Sequence, residues 1–289
     1  MRAIEQRVIL VTGATDGLGR TLARELAARG ATVLLHGRSS ERLAATEREI
    51  RQATGNDRLR TYRADFSSLA TVRELARDVE RDHARLDALV NNAALGGGAR
   101  GSGRELSADG YELRFAVNYL APFLLTRLLL PLQSRSAPSR IVNVASVGQA
   151  PIDFDNVMLE HGYDGMRAYS QSKLALISFT FELADWLRSR GEQGVTVNAL
   201  HPASLMNTKM VYEWFGYTMS TIADGLAATL PLVIAPELEG VTGRYYDRLA
   251  EGRADRQAYD RQARRRLWGL SEQLTGLGDE APIKARHSR

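Results

Sequence analysis

The chain contains no cysteine among its 289 residues. That excludes a disulfide scaffold, a thiolate nucleophile, an iron–sulfur centre and any cysteine-based zinc site. Histidine is scarce: residues 36, 83, 161, 201 and 287 never pair at the i, i+4 spacing of a zinc-binding helix, so no metal is expected. Lysine is nearly missing, with only Lys173, Lys209 and Lys284 among 38 basic residues, so each one is less easily placed in a motif by accident. Long hydrophobic runs are missing too. Val8–Val11 is too short for a signal peptide or a membrane span, and Phe123–Leu132 is interrupted by Arg127 and Pro131. A soluble, cytoplasmic protein without a membrane partner is expected. The net charge is only +4, with bases and acids interspersed, so no nucleic-acid partner is expected either.

What is present reads as an ordinary globular composition: 44% hydrophobic and 25% charged residues, against a disordered chain, a collagen or a coiled coil. Short apolar runs alternate with helical patterns. Strands are expected at Arg7–Thr12, Ala31–His36, Arg58–Arg63, Leu86–Asn91, Arg140–Val144, Val195–Leu200 and Gly243–Asp247. Helices are expected at Leu18–Arg29, Glu41–Ala53, Leu69–His83, Asp109–Leu132, Gly165–Ser189, Ile222–Leu232 and Asp255–Thr275. Continuous apolar strands separated by helices imply a parallel sheet covered on both faces. The fold class is therefore α/β, a doubly wound Rossmann-type sheet of about seven strands. One domain is expected over residues 1–250, with a lid at about 203–220, followed over 251–289 by a helix and a polar tail, mobile from Gly278.

Two motifs carry chemistry. The first strand runs into Thr12-Gly13-Ala14-Thr15-Asp16-Gly17-Leu18-Gly19 and then a helix. Glycine permits a tight turn and close approach of a ligand, and the helix start offers free N–H groups to a pyrophosphate. A strand-to-helix turn packed with small residues is the plainer reading of the same run. The second motif is Tyr169-Ser170-Gln171-Ser172-Lys173 at the start of a helix. Residues i and i+4 share a face. A cation beside a phenol lowers its pKa from about 10, which suits proton transfer to a substrate oxygen. Chance would give only about 0.1 such tyrosine–lysine pairs in a chain of this composition. Ser146 ends the fifth strand, where ligands of such sheets bind, although a serine standing alone there reads more readily as a cap or turn. A Ser-His-Asp hydrolase fits poorly, because Ser146 is not in a GxSxG turn.

Together these residues resemble the short-chain dehydrogenase/reductase family over about residues 7–247, and within it the retinol-dehydrogenase-like members. Thr12–Gly19 matches TGxxxGxG, Asp65 the adenine-side aspartate, Asn91-Asn92-Ala93-Ala94 the NNAG run with Ala94 in place of glycine, Asn118 the asparagine of the long helix, and Ser146, Tyr169 and Lys173 the serine and the YxxxK pair. The resemblance implies an oxidoreductase in which Tyr169 is the general acid/base, Lys173 lowers its pKa and binds the nicotinamide ribose, Ser146 polarises the carbonyl and Asn118 holds a relay water. Gly13, Asp16, Gly17, Leu18, Gly19, Arg38, Asp65, Asn92, Pro202 and Thr208 would bind the nucleotide, together with Tyr169 and Lys173. NADP(H) is favoured over NAD(H), because Gly37 and Arg38 stand where NAD users carry an acid. Ser146 and Tyr169 lie 23 positions apart, about twice the usual family distance, as in the retinol-dehydrogenase-like members.

The segment after the sixth strand is rich in large apolar residues. Met206, Met210, Trp214 and Phe215 suit a lid over a bulky hydrophobic or polycyclic carbonyl compound, while a satellite cluster or dimer contact is the plainer alternative. A homodimer or homotetramer stays open. So do a redox-neutral epimerase or cyclase of this fold and a non-catalytic nucleotide sensor.

Overall fold

The computed structural model describes residues 2–98, 101 and 103–278. Eight strands form one sheet in the order β3-β2-β1-β4-β5-β6-β7-β8. They are β1 Val8–Val11, β2 Thr32–Gly37, β3 Leu59–Arg63, β4 Ala88–Asn91, β5 Ser139–Val144, β6 Val195–His201, β7 Arg244–Asp247 and β8 Ala250–Glu251. All neighbours are parallel except β7 and β8. The eighth strand is a two-residue return that sequence periodicity cannot show. The order reverses between β1 and β4, and the crevice above that switch point is where this architecture binds ligands.

The helices are α1 Gly17–Ala28, α2 Ser40–Thr54, α3 Leu69–Asp82, α4 Leu113–Phe115, α5 Ala121–Arg135, α6 Gly165–Ser189, α7 Lys209–Phe215, α8 Ile222–Ile234 and α9 Arg261–Thr275. Helices α1, α2 and α8 cover one face, packing Leu22, Leu26, Ile50 and Leu232 against Ile9, Val11 and Val33. On the other face α3, α5 and α6 bury Val72, Phe123 and Phe179 against Leu10, Leu34 and Leu89. Helix α9 lies across α5 and α6. Trp268 meets Phe123 and Phe179 at ring distances of 5.6 and 5.9 Å, and Tyr119 shares a hydrogen bond of 2.5 Å with Ser271.

Two expected helices differ in detail. The long helix starts at Leu113 rather than Asp109, because Gly110 turns at φ +82° and the Glu112 carboxylate then caps the Phe115 amide at 2.7 Å. Between α4 and α5 the chain makes a π turn over Ala116–Leu120. The helix expected from Asp255 is broken into a 3₁₀ turn at Arg256–Tyr259 and α9, because extended Asp260 turns its side chain to cap Gln262. The run 113–135 is long and apolar enough to cross a membrane, but its most apolar 18-residue stretch is 83% buried inside this fold. Residues 279–289, where a mobile tail was expected, lie outside the described residues.

Candidate active site

The glycine turn after β1 is held from two sides. The Thr12 hydroxyl accepts the amides of Asn92 and Ala93 at 2.8 and 3.0 Å, and the Asn92 side chain donates to the carbonyls of Thr12 and Gly13. Buried His36 braces the other side. Its Nδ1 accepts the Gly13 amide at 3.2 Å, so Nε2 carries the proton and donates to the Ala64 carbonyl at 3.1 Å. Burial keeps the imidazole neutral, its pKa pushed down to about 4 despite the Ala64 hydrogen bond. A side chain at Gly13, which has φ +66°, would press on Ala93 at 2.9 Å, and one at Gly19 would meet the Gly13 carbonyl at 2.2 Å. The turn therefore leaves a bare backbone cradle at the start of α1, the shape a pyrophosphate needs. Ala94 is not among the residues with positive φ, so its methyl is tolerated.

One cleft of about 940 Å³ runs from this cradle to the lid. Gly13, Asp16, Gly17, Leu18, Gly19, Arg38, Asp65, Asn92, Pro202 and Thr208 line it, as do Ser146, Tyr169 and Lys173. So do Met206, Met210, Trp214 and Phe215. Thr208 caps α7, and its methyl would lie 3.3 Å from a side-chain atom at Gly17, so the lid base reaches the glycine turn. The donor set fits a dinucleotide: bare amides for phosphates, Arg38 at the far end, and Tyr169 with Lys173 near the lid. Among the described residues no group of three His, Asp or Glu is placed to hold a metal.

Tyr169 and Lys173 share one face of α6, as their spacing requires. The Ser146 side chain lies beside the phenol and favours its ionised form, and its hydroxyl accepts the Gly148 amide at 3.0 Å. Lys173 differs from its expected posture. Its Nζ donates to the Val144 carbonyl at 2.9 Å and lies 5.7 Å from the Tyr169 ring centre. The phenol is accordingly shifted upward by burial, with only the Ser146 contact opposing it, whereas the lysine is pushed down to about 8. In this state the pair rests as a neutral phenol and an easily deprotonated ammonium.

Asn118 does not line the cleft. Its Oδ1 accepts the Leu95 amide at 2.7 Å, and its Nδ2 donates to the Leu95 carbonyl and to Ser172 at 3.0 Å each. Both side-chain N–H groups are thus spent on the loop after β4 and on α6. Its backbone carbonyl is also open to a partner, because Pro122 offers it no N–H four residues on.

The long Ser146–Tyr169 interval is an excursion of the chain. Gln257 clamps Ile152 through both backbone groups, and Gln171 holds Asp153 and Val157. The extra residues therefore leave Ser146 beside Tyr169. Two groups that motif reading did not find fix Ser146 from beneath: Tyr245 and Gln149 both donate to its carbonyl, at 3.1 and 2.9 Å. On the lid, Trp214 stands edge-on to Tyr169 at 5.3 Å. A side chain at Gly97 would lie 2.2 Å from the Trp214 ring, and one at Gly96 would press on Met210. The Gly96-Gly97 stretch is therefore a seat for α7 rather than a mere linker.

A switch-point cleft with a glycine cradle at one end and a Ser–Tyr–Lys cluster at the other defines a nucleotide-dependent oxidoreductase. The comparisons with known proteins agree. The profile of the short chain dehydrogenase family matches residues 7–216, and the chain belongs to that family. Retinol dehydrogenase 13 of Mus musculus is 39% identical over 95% of this chain and 85% of its own length. Polyprenol dehydrogenase of Mus musculus is 37% identical over 94% and 84%. A short chain dehydrogenase from Escherichia coli CFT073, solved in complex with NADPH, matches at TM-score 0.69 and 30% identity, covering 85% of this chain and 97% of that one. The protein is thus a retinol-dehydrogenase-like oxidoreductase enzyme of a family that binds NAD(P).

Proposed function

We propose that this enzyme moves hydride between NADP(H) and the carbonyl or carbinol carbon of an extended, apolar small molecule. The observation that carries the reading is the continuity of one cleft from Arg38, past the glycine cradle, to Ser146 and Tyr169 under an aromatic lid. The nicotinamide supplies or accepts the hydride when bound. The chain's own residues handle the oxygen. Ser146 donates a hydrogen bond to the carbonyl, and Tyr169 delivers the proton that completes the alcohol. A phenol shifted upward, and so protonated, suits that donor role at neutral pH. Lys173, which lines the same cleft, would hold a ribose hydroxyl.

Two features support NADP(H). A side chain at Gly37 would lie 2.8 Å from the Thr15 methyl, which leaves no room for the acid that would favour a ribose 2′-hydroxyl. Among the described residues no acid pairs with Arg38, which lines the cleft, so its guanidinium is available for a phosphate. Arg38→Ala should raise the KM for NADPH about ten- to a hundredfold, the loss of one charge-assisted contact. The KM for NADH should stay within about twofold, since no such contact is lost there. Equal changes for both coenzymes would contradict the assignment.

The lid supports an apolar substrate, and the relatives named retinol and polyprenol dehydrogenases fit that class. Trp214→Ala should raise the substrate KM by about tenfold or more, from lost aromatic burial, with little change in coenzyme KM. Steady-state kinetics with an apolar aldehyde checks this. A lower melting temperature with unchanged constants would instead mark Trp214 as packing alone.

A further inference from the structure

We propose that Arg42 sets coenzyme choice through Asp16, by cancelling a carboxylate that would otherwise repel the 2′-phosphate of the adenine nucleotide. The inference rests on the NADP(H) reading above and adds to it a residue pair that no motif marks.

Asp16 stands in the glycine turn immediately before α1. Its Oδ1 accepts the Gly17 amide at 2.8 Å, a cap that fixes the carboxylate at the mouth of the cleft. Its other oxygen faces α2, where Arg42 Nη2 pairs with it at 2.9 Å and also reaches the Thr15 carbonyl at 3.3 Å. Thr15, Asp16, Arg38, Ser39 and Arg42 line the same end of the cleft.

The pair contributes little to folding. Its side chains are 53% and 56% exposed, and ion pairs so open to water are the weak class. Its position gives it a different consequence. The cap holds Asp16 in place, so its charge cannot swing away when a dianionic phosphate arrives near Arg38. An uncompensated carboxylate there would compete for the Arg38 guanidinium and repel the phosphate. Arg42 removes that charge without occupying Arg38. A ribose carrying only its 2′-hydroxyl would not sense the difference, so the pair acts on the choice between coenzymes.

The test is equilibrium titration of the full chain with NADPH and with NADH, followed by the fluorescence of the reduced nicotinamide. No substrate is needed, and the ratio of the two affinities cancels any loss of folded protein. Four proteins are compared: wild type, Arg42→Ala, Asp16→Asn, which keeps a capping oxygen, and the double variant. Arg42→Ala should lower the NADPH-to-NADH affinity ratio about tenfold, as expected when a fixed like charge faces the phosphate. Asp16→Asn should leave the ratio at or above wild type. The double variant should return to within about threefold of wild type, because the carboxylate that needed cancelling is gone. An unchanged ratio in Arg42→Ala would overturn the proposal. So would a double variant as low as Arg42→Ala, which would mean that Arg42 touches the phosphate itself. A wild type that binds NADH more tightly would overturn the NADP(H) reading itself, a failure distinct from a flat Arg42→Ala on an NADPH-preferring wild type.

Discussion

Tyr169→Phe is expected to lower turnover by about 10²–10⁴, the usual contribution of a positioned proton donor, while nucleotide affinity stays close to wild type. The half-buried phenol ring packs against Trp214, and phenylalanine fills the same space. Only the oxygen is lost, and with it the proton. The pH profile sharpens the prediction. Burial shifts the phenol upward, so Tyr169 keeps its proton across the neutral range. Lys173, pushed down to about 8, loses its charge first as pH rises. In the reductive direction kcat/KM should therefore be level below pH 8 and fall above it, because the cation that holds the ribose disappears. Stopped-flow or steady-state rates of NADPH consumption check both points. A Tyr169→Phe enzyme keeping more than about a tenth of the wild-type rate would remove Tyr169 from the proton-donor role.

Gly19→Ala is expected to abolish nucleotide binding and to destabilise the fold. The added carbon would sit 2.2 Å from the Gly13 carbonyl and 2.4 Å from the Asn92 side chain, and neither can retreat freely. Gly13 is fixed by His36, and Asn92 by its bonds to the turn. Relief must come from opening the cradle, at a cost of about 1–3 kcal/mol for overpacking of this kind. Thermal melts with and without NADPH measure both effects. Wild type should melt higher with saturating nucleotide, since a ligand that binds only the native state stabilises it. Gly19→Ala should melt lower and show no such rise. An unchanged melting temperature with a full NADPH response would show that the turn has slack the structure lacks.

Much of this site was legible from spacing alone. The glycine cradle is a run of eight residues, and Tyr169 and Lys173 lie one helical turn apart, so local sequence encodes their shared face. The strand-end position of Ser146 followed from the apolar run that precedes it. The parts that were not legible are long-range. Tyr245 and Ser146 are 99 positions apart, and nothing in either segment announces that the phenol holds the serine carbonyl. The His36 brace, the Arg42–Asp16 pair and the Gly97 seat of Trp214 depend likewise on how separate segments are brought together. The fate of the Asn118 side chain is of the same kind: it is bonded to Leu95 and Ser172, which no spacing could reveal. The direction of the Tyr169 shift was hidden for a related reason, since the sequence pairs it with a cation that the fold points at Val144.

The central claim is that hydride passes directly between a nicotinamide held in this cleft and a carbon beside Tyr169. Turnover of an apolar aldehyde with NADPH deuterated at the transferred position of C4 tests it most directly, with mass analysis of the alcohol formed. The account predicts one deuterium on the carbinol carbon per NADPH consumed, and a hydroxyl hydrogen drawn from solvent through Tyr169. An alcohol whose carbinol hydrogen comes from water, or NADPH consumed without label reaching the product, would contradict it.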